Sequence, residues 1–240
     1  MLASHGSVSL SQGDDVLSAE EWGIVALSLR VGIVATMITL PVAFALAWLL
    51  ARSRLPGKIL IEAVVYLPLV VPPVVTGWFL LLTFAPAGPL GMLGGGVLFR
   101  WTGAAIAAGV MALPLMVRAI RLSIEAVDRR LEGAARTLGA GRWRVFWTIT
   151  LPLSLPGVLA GAVLGFARSL GEFGATITFV SNVPGQTQTL PLAIYSALQR
   201  PDGDALALRL SALSIVVALA ALVASELLAR RSRAGQSYGV

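Results

Sequence analysis

Two charged side chains lie in an otherwise apolar part of the sequence. Arg168 and Glu172 are four residues apart in ARSLGEFGATIT. Small, aromatic and hydroxyl residues accompany them: Ser169, Phe173, Gly174 and Thr176. An unpaired charge inside a membrane helix costs at least ~2.5 kcal/mol, and residues four apart on a helix are neighbours. We therefore expect an ion pair, which is either part of a functional site or purely structural.

Residues suited to covalent or metal chemistry are scarce. The chain has no cysteine and a single histidine, His5, which excludes disulfides, thiolate sites and imidazole clusters. The phosphate-binding pattern G-x-x-x-x-G-K-[ST] is absent, because Gly57 and Lys58 have neither the earlier glycine nor the following hydroxyl. The sequence therefore predicts a protein that is not an enzyme and that holds no metal or cofactor.

The composition is typical of a membrane protein. Apolar residues make up 57% of the 240 residues, charged residues make up 12%, and the mean hydropathy is +0.84. A soluble domain has about 25% charged residues. The net charge of +6 does not form a basic face, so nucleic acid is not an expected partner; the lipid bilayer is.

Five stretches are long and apolar enough to cross a bilayer, which takes about 20 residues. These predicted spans are 24–50, 59–84, 103–121, 148–170 and 206–229. The sequence thus predicts an all-α integral membrane protein with one permease domain over 23–231, an N-terminal tail at 1–22 and a C-terminal tail at 232–240. Prolines interrupt several spans, most densely in LPLVVPPVVTG at 67–77. Small residues four apart at Gly157, Gly161 and Gly165 predict close helix contacts.

Basic residues mark one side of the membrane. The segment 51–58 carries three, the stretch 118–147 carries seven arginines, and the C-terminal end carries three more. Cytoplasmic loops retain such an excess. We therefore expect a periplasmic N-terminus and a cytoplasmic C-terminus.

The loop at 124–147 carries the sharpest pattern. Its apolar residues fall at positions 124, 127, 131, 134, 135 and 138, a helical period that predicts one amphipathic helix over 124–138. Gly139 would end that helix in a left-handed conformation. The following AGRWRVFW places Arg142, Trp143 and Phe146 close together. Such a mixture suits a protein interface, and it equally suits a helix lying on anionic lipid.

The sequence at 132–152, EGAARTLGAGRWRVFWTITLP, resembles the cytoplasmic signature of the permeases of ABC importers. The matching positions are Ala134, Ala135, Gly139, Ile149, Leu151 and Pro152. Glu132 stands one position before the glutamate of that signature, and Gly133 occupies its slot. The segment 167–199 resembles the molybdate-importer branch of the family.

This resemblance implies a type I importer permease that moves molybdate across a bacterial inner membrane by alternating access. It implies a homodimer, two cytoplasmic subunits that use ATP and Mg, and a periplasmic molybdate-binding protein. The signature residues, together with Glu132, Arg142, Trp143 and Phe146, would contact the ATPase, with a coupling helix at about 139–147. On this resemblance, the group around Arg168 and Glu172 would belong to the anion pathway or its gate, and we favour a structural or gate role for Glu172 because a carboxylate on the path would repel an anion. From the polar run NVPGQTQT and the acidic turn PDGD, we further hypothesise that the outer segment 182–204 docks the binding protein through Gln186, Gln188 and Asp202. Import of sulfate or tungstate remains an alternative, and an ion channel or a membrane scaffold is an alternative of another class.

Overall fold

The computed structural model describes residues 18–53 and 56–236, with side chains in the last helix as far as Ala224. Over these residues the chain is helical, without strands. The helices are α1 (Ala19–Arg52), α2 (Lys58–Val70), α3 (Pro73–Phe84), α4 (Gly91–Val97), α5 (Trp101–Ala126), α6 (Arg129–Thr137), α7 (Arg142–Val145), α8 (Leu151–Leu170), α9 (Gly174–Val180), α10 (Leu190–Leu198) and α11 (Asp204–Gln236).

The described helices confirm an all-α membrane protein. Four helical runs are long and apolar enough to span a bilayer: Ala19–Arg52, Trp101–Ala126, Arg142–Leu170 and Asp204–Ala224. The bent pair α2 and α3 would be a fifth span. The predicted tail at 1–22 is too long by four residues, because α1 begins at Ala19; residues 1–17 of that tail lie outside the described residues. The last helix continues to Gln236, so most of the tail predicted at 232–240 is helical, and 237–240 lie outside the description.

The predicted span 59–84 is present as two helices, and the break lies inside the proline-rich segment 67–77 where the sequence predicts an interruption. α2 ends at Val70, α3 begins at Pro73, and the two helices bend by 114° at the break. Proline has no N–H to donate, and the residue before a proline is driven from helical to extended backbone. Val71 is accordingly extended, with φ −73° and ψ 137°, and Pro73 takes the first helical position that suits its ring.

The fourth span is longer than predicted. A continuous helical run extends from Arg142 to Leu170, although Pro152 and Pro156 lie within it. A π-helical turn at Phe146–Thr150 immediately precedes these prolines. A π turn widens the hydrogen-bonding pattern, and such turns occur singly inside α-helices. The π turn thus lies where the loop run passes into the fourth span, directly before Pro152.

The centre of the bundle is α5, which packs along α1 and α8. The predicted close contact at three glycines of α8 is confirmed. A Cβ atom at Gly161 would lie 3.0 Å from Ile120, and one at Gly165 would lie 2.5 Å from the sulfur of Met116. A Cβ atom at Gly157 would overlap Ser123. The three glycines therefore allow the backbones of α5 and α8 to approach each other.

Candidate functional site

The arginine-rich loop, residues 124–147, contains a short helix set apart from the bundle. α6 begins at Arg129, because the carboxylate of Asp128 accepts a hydrogen bond of 2.8 Å from the N–H of Arg130, the arrangement expected of an N-cap residue. The prediction of one helix over 124–138 is therefore wrong. Ile124 and Val127 are buried and belong to the end of α5 and the turn after it.

The end of α6 agrees with the prediction at Gly139. This glycine has φ +85°, a conformation that costs other residues energy. Its N–H donates to the carbonyl of Arg136, and the N–H of Ala140 donates to the carbonyl of Ala135, both at 3.0 Å. This pair of bonds is a Schellman motif. The chain then turns at Gly141 and enters the helical run that leads into α8. The segment expected as a coupling helix, about 139–147, is thus helical from Arg142 and continuous with the fourth span, and its coupling role stays a prediction.

Glu132 holds α6 against the membrane helices. It is 8% exposed, and its Oε1 accepts hydrogen bonds from Arg52 Nη2 at 2.6 Å and from Thr150 Oγ1 at 2.7 Å. The same Arg52 nitrogen lies 3.5 Å from the carbonyl oxygen of Ile124. One carboxylate thus joins the ends of α1 and α5 and the π turn before α8. We call Arg52, Glu132 and Thr150 the carboxylate clamp.

Sequence patterns do not identify two members of this clamp. By sequence, Arg52 is only a basic residue that sets orientation, and Thr150 is an ordinary residue of the fourth span. Arg52 precedes Glu132 by 80 residues, and no periodic pattern reports a contact at that separation. The available signal was Glu132 itself, an acidic residue in a strongly basic loop.

The structure separates the aromatic residues of this loop into two groups. Phe146 packs inward, with ring centroids 5.0 Å from Trp48 and 6.1 Å from Phe44. Trp143 and Trp147 also contact Phe146 edge-on but are 76% and 60% exposed. Phe146 therefore helps to fix the loop on α1, whereas the two tryptophans present apolar surface outward.

α6 has two faces of different character. One presents exposed apolar surface from Leu131, Ala134 and Leu138, with Ala135 half-buried. The other, with Arg129, Glu132, Gly133 and Arg136, lines a cavity toward the bundle. Of the other signature positions, Ile149 is half-buried in the π turn and Pro152 is exposed. The structure therefore brings Glu132, Arg142 and Phe146 around one cavity and leaves the alanines of the signature on the opposite face of α6.

The second predicted group lies at the break between α8 and α9. The expected ion pair is present, with Arg168 Nη1 2.7 Å from Glu172 Oε2. The other carboxylate oxygen accepts a hydrogen bond of 2.8 Å from the N–H of Ala175, at the start of α9. Because the Glu172 side chain is 2% exposed and both its oxygens are engaged, it fixes the geometry of this break.

The neighbouring residues surround that break. Ser169 and Thr176 are buried, and the ring of Phe173 lies 5.0 Å from that of Tyr195. A Cβ atom at Gly174 would come within 2.9 Å of Pro73, so α9 starts close against the break between α2 and α3. Six predicted residues therefore meet where two interrupted helices touch.

The outer segment 182–204, expected to be polar and to dock a binding protein, is partly helical and partly buried. It contains α10, and Thr187, Gln188 and Thr189 are buried. Gln186 and Asp202 are exposed, but Gln188 is 8% exposed. Gln188 therefore cannot contribute much to a docking surface, and that part of the expectation is wrong.

A bundle of membrane-spanning helices that carries a short helix on its arginine-rich end is the arrangement expected of a transporter's membrane subunit. The chain matches the family model described as "Binding-protein-dependent transport system inner membrane component" over residues 22–234. It belongs to that family, the membrane subunits of ABC importers.

Named relatives agree with this assignment. The chain is 55% identical over 228 residues to the "Molybdenum transport system permease protein ModB" of Escherichia coli (strain K12), covering 92% of this chain and 100% of the relative. It is 54% identical over 216 residues to the protein of the same description from Haemophilus influenzae, covering 88% of this chain and 94% of that one. A bacterial ABC transporter that imports the acidic polysaccharide alginate has a similar fold, with a TM-score of 0.71 at 19% identity over 90% of this chain and 81% of that one.

Proposed function

We propose that this chain is the permease subunit of an importer that moves molybdate across the bacterial inner membrane. The observation that carries the proposal is the 55% identity, over 92% of this chain, to a permease described as part of a molybdenum transport system. The chain acts as a homodimer. Its N-terminus is periplasmic, because its arginine-rich end then faces the cytoplasm.

Two cytoplasmic subunits hydrolyse ATP with Mg and dock on the exposed face of α6. Leu138 and Leu131 are 88% and 50% exposed there. Apolar side chains held in water by a short, firmly capped helix favour burial by a partner. The alanines between them leave room for a partner's surface to approach closely.

The carboxylate clamp transmits movement of α6 to the helices that line the pathway. Glu132 is bonded to Arg52 at the end of α1 and to Thr150 in the run that continues into α8. α8 leads directly to Arg168 and Glu172 at the break beside α9. ATP-driven displacement of α6 would therefore reorient the helices that meet at this break. Alternating access requires two states of this kind that differ in their affinity for the substrate.

Substrate attraction at the break comes from Arg168 together with the hydroxyls nearby. Arg168 retains 27% side-chain exposure, whereas its partner carboxylate is buried and directed to a backbone N–H. A dianion arriving there would meet the cation before the carboxylate. A periplasmic molybdate-binding protein delivers that dianion to the outer surface, where Gln186 and Asp202 are exposed.

The test uses Escherichia coli cells that lack their own molybdate permease and retain its ATPase and binding protein. We expect the chain to restore accumulation of molybdenum, measured by mass spectrometry at low external molybdate. Tungstate should compete and a large excess of sulfate should not. Competition by sulfate would assign the chain to sulfate import, and molybdenum entry that persists after ATP depletion would indicate a channel.

A variant pair tests the docking face in the same cells. Leu138→Asp places a charge where we propose ATPase contact and should abolish uptake. Thr137→Asp adds the same charge to the neighbouring exposed position on α6, away from the apolar set, and should retain most uptake. Equal activity of the two variants, at equal membrane abundance, would refute docking through this face.

A further inference from the structure

Two cavities of opposite character adjoin at the arginine-rich end of the bundle. The first has a volume of about 470 Å³ and lies between α6 and the ends of the membrane helices, with Arg52, Arg129, Arg136 and Arg142 in its lining. The second, of about 580 Å³, is lined mainly by apolar residues that include Phe44, Ala45 and Leu49. Trp48, Arg142 and Phe146 line both, so the cavities share a wall.

The first cavity has an excess of positive charge that the protein does not neutralise. Its lining holds four arginines and one carboxylate, Glu132, whose ion pair is with Arg52. Among the described residues, Arg129, Arg136 and Arg142 form no ion pair. The buried Nε of Arg52 has no acceptor among those residues. Guanidinium groups gathered in this way suit a phosphate group.

The second cavity extends from this basic end into the depth of the membrane. Phe44 lies eight residues before Arg52 on α1, a rise of about 12 Å. Trp48 lies between them, at the level where tryptophan commonly meets lipid headgroups. The pair of cavities thus offers cationic surface at the membrane boundary and apolar surface beneath it.

We propose that the two cavities bind one anionic phospholipid, with its phosphate in the basic cavity and the start of an acyl chain in the apolar one. Basic pockets between membrane helices bind such headgroups. A free oxyanion would use only the basic half. A docking ATPase subunit would meet the other face of α6, where Leu131 and Leu138 are exposed.

The bound phosphate touches the carboxylate clamp. Arg52 pairs with Glu132 and also lines the basic cavity, so a phosphate there provides this guanidinium with a second anion. The lipid thereby holds α6 to the end of α1 together with Glu132. Lipid binding at the two cavities does not depend on the transported substrate, because it requires only that this end of the bundle lies at a membrane surface.

The experiment measures lipid retention by the purified permease. Native mass spectrometry after titration with phosphatidylglycerol, cardiolipin or phosphatidylcholine gives the affinity of each lipid. We compare Arg129→Gln/Arg142→Gln, which removes two lining cations, with Arg130→Gln/Arg144→Gln, which removes two exposed arginines of the same helices that do not line the cavity. Each arginine near an anionic headgroup contributes about fivefold in affinity, so the first variant should bind anionic lipid roughly 25-fold more weakly and the second should match the wild type.

Crosslinking of the wild type provides a measurement that no folding defect can affect. A phosphatidylglycerol with a photoreactive group near its headgroup should label peptides that contain Trp48 to Arg52 and Arg129 to Phe146. Labelling elsewhere only, or equal affinity of the two double variants, would overturn the proposal. Loss of the lipid when the ATPase subunit binds would overturn it in favour of a protein interface. Displacement of the lipid by inorganic molybdate or phosphate alone, with the same dependence on Arg129 and Arg142, would identify a free oxyanion as the ligand instead.

Discussion

Replacing Glu132 by alanine should release α6 from the bundle without unfolding the membrane helices. The carboxylate is the shared acceptor of Arg52 and Thr150, and the bonds within α6 do not depend on it. The expected consequence is local opening, in which the short helix separates from the ends of α1 and α8. Local opening of this kind is the lowest-energy excursion of many folded proteins.

The magnitude follows from the burial of the partners. Breaking a buried ion pair by removing one member costs about 3–5 kcal/mol, and the side chains here are 15% and 11% exposed, which favours the lower end of that range. The hydroxyl of Thr150, in a residue that is 1% exposed, loses its acceptor at a further cost of about 1 kcal/mol. Glu132→Ala should therefore lower the free energy of local opening of α6 by roughly 3–4 kcal/mol. Glu132→Gln keeps an acceptor oxygen and should lower it by about half as much.

Hydrogen exchange of the permease in lipid nanodiscs measures this opening. The amides of 129–137 should exchange at least 100-fold faster in Glu132→Ala, because ~1.4 kcal/mol corresponds to a factor of ten. Glu125→Ala is the control: its side chain is 40% exposed, and its partner Arg121 keeps a second ion pair with Glu62. An exposed pair is worth under about 1 kcal/mol, so exchange in the control should change by less than fivefold.

A double variant tests the electrostatic part of the reasoning. Arg52→Met together with Glu132→Gln removes both charges and keeps an acceptor for Thr150. Removing both members of a buried pair is often neutral, so exchange should return to within about tenfold of the wild type. If the double variant opens as readily as Glu132→Ala, or if Glu132→Ala leaves the amides of 129–137 protected, the clamp does not hold α6.

Two further predictions concern packing and the helix break. Gly157→Ala should lower the stability of the detergent-solubilised protein by about 1–3 kcal/mol, because the new methyl would overlap Ser123 on α5. Gly23→Ala lies in α1 with nothing within 4 Å of the new methyl, so it should not lower the temperature of unfolding, since alanine favours a helix interior over glycine. Equal losses of stability in the two variants would contradict the close contact of α5 and α8. Glu172→Ala should cost about 2–3 kcal/mol, because it removes the acceptor for the N–H of Ala175 and the partner of Arg168. Glu172→Gln should lower the stability by about half as much. If Glu172→Gln lowers the unfolding temperature as much as Glu172→Ala does, the carboxylate does not act as a cap for α9.

The elements that the sequence predicted well are those set by local chemistry. Long apolar runs identified the spans because a bilayer requires a continuous hydrophobic stretch. Gly139 identified the end of α6, because the left-handed backbone there is open to glycine at little cost. The pairing of Arg168 with Glu172 followed from a spacing of one helical turn.

The elements that it predicted poorly depend on distant contacts or on competing local preferences. Asp128 divides the helix predicted over 124–138, because its side chain caps α6, while the apolar period continues across the boundary and conceals it. The π turn at Phe146–Thr150 joins the loop to the fourth span, although prolines follow closely. The clamp joins residues that lie on separate helices, and their types alone do not distinguish them from interfacial arginine and threonine.

The position of Glu132 explains how one short helix can serve two surfaces. Successive residues of a helix lie about 100° apart around its axis. A carboxylate at 132 therefore points about 100° away from one at 133, the position of the glutamate in the family signature. At 132 it reaches Arg52 and Thr150 inside the bundle, and glycine at 133 leaves open space beside it. The apolar residues at 131 and 138 remain exposed on the other side. Under the proposed docking, a force on that exposed face would act on a helix that Glu132 bonds to Arg52 of α1 and to Thr150 before α8.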